Sequence, residues 1–195
     1  LLELLDIPLC GDWAQVASAL EQQHLAFIPL GAWMPELQRM IDLRNVLGLR
    51  SPIHSLARLL NPLQARCGLQ SIFHPGYQSV HRDASQLLGD RVIVVKGEGG
   101  EIEVNPDSPC QLFGTSAQGI WNEEWPALSA QRHVKPAQLD PAKLLAVWHG
   151  HDTDEYGLQA ITGSIALALR GLGRTREEAL EQARQVWANR LTEAV

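Results

Sequence analysis

Four arginines, Arg39, Arg44, Arg50 and Arg58, follow one another with Asp42 as the one acid between them. A guanidinium pairs in bidentate fashion with a carboxylate or a phosphate, so this run could line an anion-facing groove. The plainer alternative is that one or two pair with Asp42 or a helix end and the rest are solvated. A second group is Gly97-Glu98-Gly99-Gly100 with Glu101 and Glu103. Its glycines follow an apolar run, as in a phosphate cradle, but the glutamates would repel a phosphate unless a divalent cation intervened. A turn bearing a carboxylate patch able to hold Mg²⁺ is the reading left open. A third is His149-Gly150-His151-Asp152 with Asp154, whose spacing suits a helix-to-helix loop with an N-cap aspartate better than a zinc site. Cys10, Cys67 and Cys110 are odd in number and far apart, and Cys67 has no evident base beside it, so neither a disulfide framework, a thiolate zinc site nor nucleophilic catalysis is signalled. No catalytic residue is assigned.

The elements that must carry these residues follow from periodicity. Asp12 caps a helix through Gln22; Leu25 to Ile28 reads as a short strand; Met34 to Leu47 returns to helical spacing and Gly48 stops it; Ser51-Pro52 opens a helix ending near Asn61-Pro62. Leu69 to Phe73, Tyr77 to Leu88 and Arg91 to Val95 then read strand, helix, strand, the size of a βαβ crossover, which requires a parallel pair. Glu101 to Val104, Gln111 to Phe113 and Ile120 to Trp125 look like further short strands. Asp140-Pro141 starts a helix, Tyr156 to Leu172 is a long apolar one expected to be buried, and Thr175 with Glu178 forms a capping box for the last. The expected fold class is α/β, a central, mainly parallel sheet flanked by helices, with residues 1–195 forming one domain.

Composition bounds the function. The chain has 195 residues, of which 45% are hydrophobic and 19% charged, enough for a sizeable core. Its formal net charge of -6 excludes a chain-wide basic footprint for nucleic acid while leaving local basic faces open. No apolar run approaches the ~20 residues that span a bilayer, Glu3 and Asp6 stand where a signal peptide would be basic, and the cytoplasm is the expected compartment. The six tryptophans are scattered singly and read as core or interface anchors. The chain opens on Leu1 rather than Met, so an upstream region is expected.

The stretch Met34-Pro35 through Arg44-Asn45-Val46-Leu47-Gly48-Leu49-Arg50-Ser51 to Leu59-Leu60-Asn61-Pro62 resembles the anthranilate phosphoribosyltransferase family, also called glycosyltransferase family 3. That family reads H-P-A-M-K, then R-x-x-L-G-x-R-T-x-x-N-x-x-G-P-L-x-N-P, and the segment aligns without a gap. His74-Pro75-Gly76-Tyr77, Leu87-Leu88-Gly89 and Val92 to Gly97 are similar to its following βαβ unit, and Gln159 to Ala168 with Arg174 to Arg190 to its closing helix pair. The resemblance implies the C-terminal α/β part of a phosphoribosyltransferase/nucleoside phosphorylase-like protein, with the N-terminal helical domain and the Gly-Thr-Gly-Gly-Asp phosphate loop lying upstream. It further implies transfer of phosphoribose from phosphoribosyl pyrophosphate with Mg²⁺, and a homodimer formed through the helical part. By this mapping Arg44 is the acceptor contact, Arg50 braces the helix junction, and Glu103 or Glu101 is the remaining metal carboxylate. Departures matter equally. The family histidine falls on Met34, its G-P-L proline on Arg58, and Ile102 interrupts the metal-binding Asp-Glu pair. These changes argue against anthranilate as acceptor. They point to the divergent, anthranilate phosphoribosyltransferase-like branch, with either another acceptor or a non-catalytic protein that binds anions or nucleic acid on the same scaffold.

Overall fold

A computed structural model describes residues 2–97, 102–134 and 140–190. Where one domain is expected, the chain divides into two compact units, residues 1–57 with 140–148, and residues 58–139 with 149–195.

The first unit is helical. α1 (Trp13–Gln23) begins where Asp12 accepts from the Gln15 N–H at 2.8 Å. Its Val16 and Ala19 are buried with Cys10 against Ala26 and Ile28. Residues 25–28 do not form the expected strand: Phe27 makes a single parallel bridge to Leu9. The helix expected over 34–47 is broken into α3 (Pro35–Asp42) and α4 (Arg44–Leu47), preceded by a short α2 (Leu30–Trp33). Pro35 has no N–H to continue a preceding helix and starts α3 at its first position. Gly48 ends α4 at φ 70°, in the left-handed region. The next helix is also shorter than expected, α5 (Ile53–Leu56) followed by a 3-10 turn through Leu59. α7 (Pro141–Trp148) belongs to this unit.

The second unit holds the sheet. β1 (Gly68–Ser71) and β2 (Val92–Val95) run parallel, joined by α6 (Gln78–Leu88), so the βαβ unit stands as the spacing predicts. β3 (Cys110–Ser116) and β4 (Gly119–Trp125) complete the order β1-β2-β3-β4. The class is α/β with flanking helices, but the sheet is mixed rather than mainly parallel: β2·β3 and β3·β4 are antiparallel. For β3·β4 the cause is local, because Ser116 pairs with Gly119 across a two-residue turn, and a link that short admits only an antiparallel pair. Residues 102–104 make no ladder; the Val104 N–H donates instead to Ser164 Oγ at 3.0 Å.

All four residues of β2 are buried because both sheet faces are covered. Ile93 and Val95 point to one core with Leu112, Trp125, Ala166, Leu167, Ala179 and Ala183, the last four from α8 (Glu155–Gly171) and α9 (Arg176–Asn189). Val92 and Val94 point to the other, with Ile72 and Phe113. This is the two-residue period of a strand buried on both sides. α8 buries a stripe, Ala160, Gly163 and Ala166-Leu167, and leaves Leu158 exposed, so it is less enclosed than its composition suggests. At Gly114 a side chain would collide with the Trp121 ring lying across it on β4.

Candidate functional site

Ligands of α/β sheets collect outside the carboxyl ends of the strands. Here Ser71 ends β1 and Lys96-Gly97 follow β2. A cavity of about 380 Å³ opens at those ends, lined by Pro75, Gln78, Lys96, Gly97, Ser108 and Glu124 among others. Gln78, the first residue of α6, is 2% exposed and donates to the Gln111 carbonyl at 3.1 Å. Lys96 makes no ion pair among the described residues, so the cavity carries an available cation beside the Glu124 carboxylate. Cys110 lines the same cavity, but burial pushes its thiol up to about 11, which keeps it protonated at neutral pH and a poor nucleophile.

Arg58 is tied to this end of the sheet. Its guanidinium donates to the Ser71 carbonyl, while Ser71 Oγ accepts from the Gly97 N–H at 3.3 Å. One arginine thereby reaches the residue that links the carboxyl ends of β1 and β2. Its charge also acts on His81 of α6. Burial, and after it the charge of Arg58, lowers the His81 pKa from its ordinary 6.5. His81 Nδ1 lies 3.3 Å from Gln70 Oε1, and Gln70 Nε2 donates to Ser85 Oγ at 3.2 Å, a polar seam between β1 and α6.

The other expected residues are placed differently. Arg44 opens α4 and Arg50 lies just beyond it; both are exposed and belong to the first unit, whereas Arg58 belongs to the second. Arg39 pairs with Glu36 on α3, one of the ion pairs the plainer reading anticipates, though with Glu36 rather than Asp42. Glu103 is exposed on the loop before Val104 and is not among the residues lining the strand-end cavity; Glu101 and the Gly99-Gly100 turn lie outside the described residues. Among the described residues no three His, Cys, Asp or Glu groups gather where they could hold a metal ion. Mg²⁺ commonly takes one or two carboxylates plus substrate phosphates. Glu103 supplies at most one such ligand, so the described residues do not make a resident metal site. In the His149–Asp154 loop, Asp154 is an N-cap accepting from the Gly157 N–H at 3.0 Å.

Sequence reasoning missed a second constellation. Asp107 Oδ1 and His133 Nδ1 are 2.6 Å apart, and Asp107 Oδ2 accepts from the His133 backbone N–H at 2.7 Å. The hydrogen bond from the His133 side chain leads the causes that hold the Asp107 carboxyl below its usual range. The His133 ring stands edge-on to Tyr156, with centroids 5.4 Å apart. The pair is separated by 26 positions, and no motif marks it.

No family model matches the chain. It is similar to the anthranilate phosphoribosyltransferase of Synechococcus sp. (strain RCC307), 34% identical over 113 residues that cover 57% of this chain and 33% of the relative. It is also 29% identical over 122 residues to the uncharacterized protein YbiB of Escherichia coli, covering 62% of this chain and 38% of that one. In three dimensions it overlays a variant of the anthranilate phosphoribosyltransferase of Saccharomyces cerevisiae solved with Mg bound, at a TM-score of 0.73 and 14% identity, over 96% of this chain and 56% of that one. The chain is anthranilate phosphoribosyltransferase-like. It spans about a third of the curated relatives and little more than half of the solved chain. Among the described residues no helix is long and apolar enough to cross a membrane.

Proposed function

We propose that this chain is the C-terminal α/β part of a phosphoribosyl- or related pentosyltransferase whose acceptor is not anthranilate. The sequence similarity carries the transferase class, and the departures at Met34, Arg58 and Ile102 carry the change of acceptor. In such a transfer pyrophosphate leaves as the acceptor attacks, so the protein must hold the donor's charge and align the acceptor. Lys96, open at the carboxyl ends of the parallel strands, suits a donor phosphate. Arg44, exposed at the start of α4, suits an acidic or aromatic acceptor, and Arg50, exposed just beyond α4, is carried over from the resemblance as the residue that would brace the junction. Arg58, held by the Ser71 carbonyl, is better suited to fixing the strand ends than to closing on a ligand alone. Mg²⁺, the ion bound in the yeast variant, would neutralise the pyrophosphate; Glu103, with Glu101 as the second candidate, would be this chain's carboxylate contact to a Mg–diphosphate. A homodimer is part of the same proposal for the longer protein.

The second reading is a non-catalytic protein that binds polyanions, nucleic acid included, on this scaffold. The exposed Arg44 and Arg50 in one unit support it. Calorimetry with phosphoribosyl pyrophosphate, with and without Mg²⁺, and with an oligonucleotide separates the two. Saturable, Mg²⁺-dependent binding of phosphoribosyl pyrophosphate that Arg44→Ala weakens more at low than at high salt supports the transferase. Preference for the oligonucleotide, with affinity falling steeply as salt rises, supports the binding protein. Equal affinity of wild type and Arg44→Ala for sulfate, phosphoribosyl pyrophosphate and oligonucleotide refutes an anion role for Arg44.

A further inference from the structure

A cavity of about 420 Å³ opens at the amino ends of the parallel strands, lined by Asn61, Gln64, Arg66, Leu88, Asp90 and Arg91 among others, all within the second unit. Arg66 stands two residues before β1 and Arg91 one before β2. The Gly68 N–H donates to the Arg91 carbonyl at 2.8 Å, so the two arginines lead into neighbouring strands side by side. Both are exposed, and neither guanidinium makes a hydrogen bond or ion pair among the described residues. Burial raises the Cys67 thiol pKa, and the Arg91 charge opposes this by less, so the thiol stays protonated at neutral pH and neutralises none of that charge. The one carboxylate lining the cavity, Asp90, accepts at Oδ1 from Asn61 Nδ2 at 2.7 Å. Asn61 is fully used: its Oδ1 accepts from the Ala65 N–H at 2.8 Å and its carbonyl from the Gln64 N–H at 3.1 Å. It is a brace that ties this loop to Asp90, and within the loop Gln64 is held at φ 48°, a left-handed backbone uncommon outside glycine. Two arginines against one aspartate leave the cavity a formal charge of +1. Each guanidinium fork matches one phosphoryl group, and the volume lies toward the lower end of small-molecule sites.

We propose that this cavity binds a diphosphate group, one phosphoryl on Arg66 and the other on Arg91. Asn61 is a positioning residue: it touches no ligand and fixes the loop that carries Arg66. Inorganic diphosphate and the diphosphate of a nucleotide present the same chemistry, and the test separates them. The proposal does not rest on the phosphoribosyl transfer reading, since Arg44, Arg58, Lys96 and Glu103 do not line this cavity and it shares no lining residue with the one at the carboxyl ends of the strands.

The test is calorimetry of the whole chain with inorganic diphosphate, orthophosphate and ADP at constant ionic strength and without added metal. Inorganic diphosphate is expected to bind saturably and more tightly than orthophosphate. Arg66→Gln and Arg91→Gln, both exposed substitutions, should each weaken it about tenfold, the effect of one lost charge-assisted hydrogen bond, and the double variant should abolish it, with thermal melts showing that the variants remain folded. Lys96→Gln, which removes the cation at the opposite ends of the strands, should leave the affinity unchanged. ADP binding as tightly as diphosphate supports a nucleotide as the source of the group, and much weaker ADP binding supports the free anion. Absence of saturable diphosphate binding, or an affinity that neither arginine substitution changes, overturns the site. Loss of binding in Lys96→Gln alone also overturns it, while leaving the donor contact of the transferase reading in place. Orthophosphate binding as tightly as diphosphate overturns the assignment of one phosphoryl to each arginine.

Discussion

His81 makes the stability of the sheet depend on pH in a direction that can be worked out. It is 5% exposed in the seam with Gln70 and Ser85, and its pKa is lowered first by burial and then by the Arg58 charge. The unfolded chain therefore takes up a proton near pH 6.5 that the folded chain takes up only at lower pH. Stability contributed by neutral His81 is full above that point and is lost as pH falls through the window between the unfolded and folded values. The loss is at most about 1.4 kcal/mol per pH unit for one proton. Urea unfolding of wild type and His81→Gln from pH 8 to 5.5 at constant ionic strength isolates the effect, because the carboxylates titrate alike in both. The difference between the two proteins should be flat above about pH 7 and shrink steadily below 6.5. Arg58→Gln supplies the second arm. It should cost about 1.5–3 kcal/mol at pH 8, the range for a hydrogen bond to a charged group, here the one to the Ser71 carbonyl. It should also narrow the acid window, since one of the two causes is gone while burial, the larger, remains. Parallel stability curves for wild type and His81→Gln over the whole range would refute the argument that His81 is buried neutral.

Gly114→Ala should destabilise the hairpin by about 1–3 kcal/mol through overpacking against Trp121, and Trp121→Leu should remove most of that penalty, so the two substitutions measured by denaturant unfolding should be strongly non-additive. Asp107→Asn should lose stability above the usual carboxylate pKa and converge on wild type in acid, because a depressed carboxyl contributes stability that disappears as pH falls through its folded value; a constant difference across an acid titration would contradict this. The isolated chain should not consume anthranilate with phosphoribosyl pyrophosphate and Mg²⁺; measurable turnover followed by anthranilate fluorescence would show that Met34, Arg58 and Ile102 do not change the acceptor.

The parts of the fold that were legible in the sequence are those decided by neighbours in the chain. Asp12 and the Thr175–Glu178 box announce their helices because the capping partners lie three residues away. Val92 to Val95 announces a buried strand because four β-branched residues in a row suit a strand covered on both faces. Direction and pairing were less legible. The antiparallel β2·β3 pair joins segments fourteen residues apart, and the Gly97 to Gly100 turn signal between them does not say which strand the chain pairs with next, while Phe27 finds its one bridge partner at Leu9, beyond α1. Helix length over 30–59 depended on where Pro35 and Gly48 interrupt a periodic pattern that otherwise runs on.

The same distinction explains the candidate site. The arginine run was conspicuous because arginine's type alone suggests an anion, yet type does not say which guanidinium is already occupied. Arg58 proves committed to a strand-end carbonyl and Arg39 to Glu36, while Arg44 and Arg50 stay exposed. Conversely, Asp107 and His133 are ordinary residues in polar loops. They become notable only when the hairpin between them, β3 and β4, folds back and brings a carboxylate and an imidazole to 2.6 Å. A hydrogen-bonded pair made by topology rather than by spacing leaves no periodic trace in the chain, and it places Asp107 and His133 on the loops flanking the hairpin. The resemblance to a known transferase covers the βαβ unit and the arginine run, so it directs attention to Arg44, Arg58 and Glu103. The geometry adds Asp107 and His133, a pairing that the resemblance alone would not have suggested.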